Sequence, residues 1–248
     1  MKAALNTHPA LRAWPVRSRD RLGLALWTAA DIAAATGGTA SGDFQVAGVE
    51  IDSRDVRSGD LFFALKGEAM DGHRFIDKAF ANGAAAAVVD RPVDYPHILV
   101  EDTNAALEAL ATASRKRSGA KRIGVTGSVG KTGVKEAIFA GLDRASRGKT
   151  HRSVRSYNNH VGVPLSLARM PARSHFGVFE MGMNHSGEIS ALTAQRSRLR
   201  ISRTWAVSRL LQLPRRKFLK PWKRAELRLF LRIFRNSRSC VMRRRRME

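Results

Sequence analysis

Short apolar runs alternate with helix-length amphipathic stretches from residue 26 to residue 194. Residues 46–51, 60–65, 84–89 and 98–100 have the length and β-type composition of strands. Residues 26–36 and 75–82 read as helices, stopped by Gly37-Gly38 and Gly83. Residues 103–118 read as a longer helix, with Thr103 as its N-cap and Leu107, Leu110 and Ala111 at helical spacing. A second unit begins at Lys121: a strand over 123–126, a helix over 135–145, a strand over 175–180 and the start of a helix over 187–194. This alternation predicts an α/β protein, with a small N-terminal α/β domain over 24–118 and a second unit with a parallel sheet over 119–195. Residues 1–23 read as a leader outside the folded part.

The strand at 123–126 runs into Thr126-Gly127-Ser128-Val129-Gly130-Lys131-Thr132, and a helix follows. Strand, glycine loop, helix is the setting that a phosphate-binding loop requires. Gly127 and Gly130 let the backbone turn its amides inward, and the helix that follows presents its positive end. Lys131 is placed to reach β- and γ-phosphates, and the Thr132 hydroxyl to bind Mg²⁺. The longer form of the motif has a glycine where Val125 stands, so this is the shorter Thr-Gly-x-x-Gly-Lys-Thr form. Glu180 closes the strand at 175–180, where a carboxylate across from the loop could hold Mg²⁺. Tyr157-Asn158-Asn159-His160, leading to Gly162-Val163-Pro164, reads as a polar loop with a rigid exit.

Charge divides the chain. Of its 44 Lys+Arg, 19 fall in residues 196–248, against two acidic residues, Glu226 and Glu248. That segment has no glycine and no aspartate, the usual turn residues of a packed domain, and reads as an irregular basic tail. Such a block suits nucleic acid or an anionic membrane surface, although few aromatics accompany it for base stacking. One cysteine, Cys240, excludes an internal disulfide and a multi-cysteine metal site. No run approaches the roughly 18 apolar residues of a spanning helix. A cytoplasmic, monomeric protein is expected.

Three ordered motifs resemble those of the Mur ligases: residues 126–132, Tyr157-Asn158-Asn159-x-x-Gly162-x-Pro164, and Phe179-Glu180-Met181-Gly182-Met183-Asn184-His185-x-Gly187-Glu188-Ile189. The last is similar to the branch that adds D-alanyl-D-alanine to a UDP-N-acetylmuramoyl-tripeptide. Upstream, Ile51-Asp52-Ser53-Arg54, Gly59-Asp60-Leu61-Phe62-Phe63-Ala64-Leu65-Lys66-Gly67 and Asp71-Gly72-His73-x-Phe75 resemble that branch's first domain, which holds the UDP end of the precursor. The resemblance implies a UDP-precursor domain at 24–118, part of the central ATP-binding domain at 119–195, and ATP and Mg²⁺ as cofactors. It also implies a reaction. ATP phosphorylates a substrate carboxylate, and the amine of D-alanyl-D-alanine attacks the acyl phosphate. By resemblance, residues 126–132 hold ATP, and Thr132 and Glu180 hold the metal. Lys131, Asn159 and His185 serve the catalytic centre, and Ser53 and Arg54 the UDP end.

The resemblance fades after about Gln195. The family's lysine-bearing helix for a second Mg²⁺ is not readable, and the expectation is a truncated, inactive fragment. Shifting the reading frame of 203–229 permits Asn-Val-Gly, Glu-Ala-Met and Arg-Ala-Glu-Ile, close to the family's continuation. Residues 196–248 are thus either frameshifted or a genuine basic arm. The second would favour the alternative function, a nucleic-acid-binding protein with an ATPase-like core.

Overall fold

The computed structural model describes residues 25–67, 70–127, 130–154 and 157–182, and the backbone of 199–202. The readings placed on 1–23, the helix at 187–194 and the composition of 203–248 lie outside the described residues, as do Ser128, Val129 and His185.

The N-terminal unit opens with β1 (Trp27–Thr28) and α1 (Ala29–Thr36). The helix expected from residue 26 therefore starts three residues later. Thr28 is its cap: its hydroxyl accepts from the Asp31 amide while Asp31 bonds back to the Thr28 amide. Gly37, at φ 72°, ends it. There follow β2 (Thr39–Ala40), β3 (Gln45–Val46), β4 (Gly48–Glu50), β5 (Asp60–Phe63), a 3₁₀ turn at Gly72–Phe75, α2 (Ile76–Ala81), β6 (Ala86–Val89), β7 (His97–Leu99) and α3 (Thr103–Arg117). Strands β4, β5, β6 and β7 are parallel neighbours in that order, and β2 adds an antiparallel edge to β7. The cap of α3 is Asp102, whose carboxylate accepts from the Asn104 and Ala105 amides at 2.7 and 3.2 Å. Thr103, expected as the cap, is the first helical residue instead. An ionised carboxylate is the stronger acceptor at the positive end of a helix.

Period-two alternation covers both faces of this sheet. Leu61, Phe63, Ala86 and Val88 pack on α1 and α3 through Ile32, Leu107 and Leu110. Phe62, Ala87 and Val89 pack on α2 through Ile76 and Ala79.

The second unit holds β8 (Lys121–Val125), α4 (Lys131–Ala145), β9 (Thr150–Arg152), α5 (Gly162–Ala168), β10 (Phe176–Glu180) and β11 (Leu199–Ser202). Its sheet is parallel throughout, in the order β11-β8-β10-β9. Strand β11 comes from the segment read as irregular tail, so the sheet extends at least that far. Val178 faces α4, with Ile123, Val134, Ile138 and Leu142. Its neighbour Phe179 faces α5, with Val163, Leu167 and Met170.

Helices α3 and α5 are shared between the two units. Leu165 and Ala168 of α5 are buried in the first unit's core, and Ala111 of α3 in the second's. Two polar ties reinforce this seam: Trp27 Nε1 donates to Ala168 O at 2.9 Å, and Ser114 Oγ to Leu167 O at 2.6 Å.

Candidate nucleotide site

Both candidate loops leave the C-terminal ends of parallel strands, the end at which α/β sheets bind ligands. The loop holding Ser53 and Arg54 follows β4, and the loop at 126–130 follows β8.

Gly130 caps α4 in the left-handed region at φ 77°, with nothing within 4 Å of where a Cβ would stand. Backbone conformation, rather than space, is what asks for glycine there. Lys131 begins the helix, and its Nζ donates to Gly127 O at 2.7 Å, so the side chain is folded back over the loop. The next residue, Thr132, donates through Oγ1 to Glu180 Oε2 at 2.9 Å.

Glu180 is there because of strand periodicity. Val178 lies on the α4 side of β10, and two residues further along Glu180 lies on the same side. Glu180 is only 1% exposed, and its carboxylate is surrounded by donors. Oε1 accepts from Asn158 Nδ2 at 3.1 Å, and Lys135 Nζ lies 3.7 Å from Oε2. The Glu180 amide donates to Ser153 Oγ at 3.0 Å. Lys135 sits one turn after Thr132 on the same face of α4 and is fully buried. Burial pushes its ammonium below the usual lysine range. Glu180 opposes that shift and Arg152 adds to it.

A hydroxyl and a carboxylate 2.9 Å apart, at the start of a 15-residue helix, form a hard oxygen pair of the kind Mg²⁺ accepts. Glycine loop, Lys131 and helix N-terminus likewise suit a polyphosphate. The residues present therefore fit both ATP and Mg²⁺.

The structure brings together Gly127, Gly130, Lys131, Thr132 and Glu180. Asn159 is adjacent but differently occupied: its Oδ1 accepts from the amide of Gly162, the first residue of α5, at 2.8 Å, while its neighbour Asn158 reaches Glu180. Gly162 allows this, since a Cβ there would lie 2.7 Å from the Tyr157 backbone. Sequence reasoning missed Asn158, Lys135 and Ser153. Two adjacent asparagines carry no signal of which points inward. The Thr132–Lys135 spacing was the available signal for the lysine.

At the other loop Ser53 is buried, and its carbonyl accepts from Asn82 Nδ2 at 2.7 Å. Arg54 is exposed, its guanidinium held by Asp52 through contacts of 2.6–3.2 Å. Among the described residues no helix is long and apolar enough to cross a membrane.

Comparison with known proteins agrees with this geometry. Residues 45–116 match the Mur ligase family catalytic domain, and residues 125–200 the Mur ligase middle domain. The chain is 44% identical over 151 residues to the UDP-N-acetylmuramoyl-tripeptide–D-alanyl-D-alanine ligase of Bacillus subtilis, an alignment covering 59% of this chain and 33% of that one. The Escherichia coli enzyme of the same name is 41% identical over 150 residues, covering 60% and 33%. The solved UDP-N-acetylmuramoylalanyl-D-glutamyl-2,6-diaminopimelate–D-alanyl-D-alanyl ligase of Acinetobacter baumannii superposes with a TM-score of 0.58 at 36% identity, over 67% of this chain and 38% of that one. The chain thus spans about a third of the length of the curated relatives it matches. With one matched stretch on each sheet, in the order the fold requires, this chain carries the N-terminal and middle domains of the Mur ligases.

Proposed function

We propose that these residues supply the precursor- and nucleotide-binding parts of a ligase that joins D-alanyl-D-alanine to UDP-N-acetylmuramoyl-tripeptide in peptidoglycan synthesis, a cytoplasmic reaction. The observation that carries this reading is the Thr132–Glu180 hydrogen bond, which joins the phosphate loop's helix to the buried carboxylate at the end of β10.

The roles follow from position. Backbone amides of residues 126–132 cradle the phosphates, with Ser128 and Val129 in that loop. Lys131 exchanges Gly127 O for the β- and γ-phosphates. Thr132 and Glu180 hold Mg²⁺, which when bound neutralises charge between the terminal phosphate and the substrate carboxylate. Asn158 and Lys135 keep the Glu180 carboxylate aimed at the loop. Asn159 and His185 line the centre, and Ser53 and Arg54 take the UDP end. The nucleic-acid alternative rests on the basic residues of 196–248, and the matched relatives give it no support.

Calorimetry on the purified 248-residue chain tests the reading. Mg²⁺–ATP binding is expected, and Lys131→Ala should abolish it. Equal binding by wild type and variant would show that the loop is not the nucleotide site.

A further inference from the structure

Helix α5 runs between the Glu180 carboxylate and the loop that follows β4. At its start the Asn159 side chain accepts the Gly162 amide, and Asn158 bonds Glu180 while its carbonyl accepts the Gly182 amide at 2.6 Å. At its finish stands Arg169, whose guanidinium crosses into the first unit. Nε donates to Val49 O at 2.5 Å, and Nη2 donates to Glu50 Oε2. The other Glu50 oxygen, Oε1, accepts from the amides of Ile51 and Asp52 at 2.9 and 3.5 Å. Those are the first amides of the loop that carries Ser53 and Arg54, and Asp52 in turn clamps Arg54. A continuous series of contacts therefore runs from Arg54 through Asp52, Glu50, Arg169 and α5 to Asn158 and Glu180. The helix between is seven residues, about 10 Å long.

The Glu50–Arg169 pair is buried, with both residues under a tenth exposed. Burial pushes the Glu50 carboxyl up, and Arg169 and the two loop amides pull it back. A buried ion pair is a poor source of stability, because desolvating two charges offsets most of their attraction. What it does supply is direction. One carboxylate engages the helix end and the loop amides together, so the loop cannot shift relative to α5 without breaking a desolvated pair.

We propose that Glu50 and Arg169 are positioning residues that fix the 51–54 loop on the end of α5 and so couple occupancy of that loop to occupancy of the phosphate loop. What each loop binds rests on the functional reading above; the mechanical tie does not.

The test uses the full chain, its Glu50→Gln/Arg169→Met variant and Arg169→Lys. The double variant removes both charges, so a purely structural role would be restored in it. Affinity for UDP-N-acetylmuramoyl-tripeptide is measured alone and with saturating Mg²⁺–AMP-PNP. The expected ratio for wild type is at least about fivefold, within the usual range of site coupling. The double variant should melt like wild type and bind Mg²⁺–AMP-PNP alone equally well, yet show a ratio near one. Amide exchange at Ile51 and Asp52, without ligand, should be several-fold faster in it. Arg169→Lys keeps the charge but loses the forked geometry and should also lower the ratio, which decides the matter if the double variant fails to fold. An unchanged ratio in a folded variant overturns the coupling. Unchanged exchange at Ile51 and Asp52 overturns the tie. If wild type binds neither ligand, the functional reading fails, and the exchange result still decides the tie.

Discussion

Thr132 Oγ1 and Glu180 Oε2, 48 residues apart in sequence, are 2.9 Å apart in space. One lies in the first turn of a helix and the other ends a strand, whose alternation turns the carboxylate towards that helix. The hydrogen bond satisfies a carboxylate that is otherwise deeply desolvated, and it keeps the two oxygens at a separation that one cation can bridge. Thr132→Val removes one ligand, and Glu180→Gln removes the charge. Either should weaken ATP binding at saturating Mg²⁺ by about tenfold or more, since a charge-assisted contact contributes roughly 1.5–3 kcal/mol. ATP binding in EDTA should change far less. Calorimetry with and without Mg²⁺ separates the two, and equal losses in both conditions would remove Thr132 and Glu180 from the metal site.

Lys135 is the countercharge. Its Nζ lies 3.7 Å from Glu180 and 3.5 Å from Glu136. Lys135→Met leaves Glu180 buried with Thr132 and Asn158 as its donors, which should lower stability by about 3 kcal/mol, the lower end for a broken buried pair. Lys135→Met/Glu180→Gln should recover most of that. Urea denaturation of the three proteins gives the comparison, and a double variant no better than the single would show that the two charges act independently.

The sequence made the strands and the phosphate loop legible because their signals are local. Apolar runs bounded by glycine marked β5, β6, β8 and β10 to within about two residues, and Gly-Lys-Thr marked the loop. Less local features escaped. Helix α5 was read as the exit of a loop, since Gly162 and Pro164 are breakers by propensity. Yet every residue of α5 is buried, and packing against α3 overrides propensity. Strand β9, with the sequence Thr-His-Arg, has no apolar run and is strand only because β10 pairs with it. The Glu50–Arg169 tie spans 119 residues, and no pattern in one chain reveals a contact at that separation.

The seam between the units has its own test in Trp27. Its Nε1 donates to Ala168 O at 2.9 Å in a buried position, and the Arg117 guanidinium lies 3.2 Å from its ring centroid. Arg117 also donates to Leu26 O at 2.7 Å, and burial lowers its pKa to about 10, still charged near neutrality. Trp27→Phe keeps an aromatic ring but leaves the Ala168 carbonyl unpaired and weakens the cation–π contact. A loss of roughly 2 kcal/mol is expected. Chemical denaturation measures it, and a change below a few tenths of a kcal/mol would show that the seam does not depend on this contact.

His151 makes the fold pH-sensitive. It lies on β9, tilted against Phe179 with ring centroids 5.8 Å apart, and its Nε2 is 2.7 Å from Ser166 O. A carbonyl only accepts, so Nε2 carries the proton and the neutral ring satisfies the contact. Burial lowers the imidazole pKa to about 4, with the Ser166 hydrogen bond pulling it back up and Arg169 lowering it slightly further. The sign follows from linkage. Unfolded, the ring takes its proton near pH 6.5; folded, it resists until about pH 4. Between those values the unfolded chain binds more protons, so stability falls as pH falls. The contribution is fully present above pH 6.5, and about 3 kcal/mol of it is lost by pH 4, at roughly 1.36 kcal/mol for each pH unit between the two values. Free carboxylates also take up protons towards pH 4, so the comparison is with His151→Gln, which keeps a donor for Ser166 O but does not ionise. Urea unfolding free energies of both proteins from pH 8 to pH 4 should run parallel above pH 6.5 and then diverge, with wild type falling faster. Parallel curves throughout would mean that His151 titrates alike in both states and is not buried as a neutral ring.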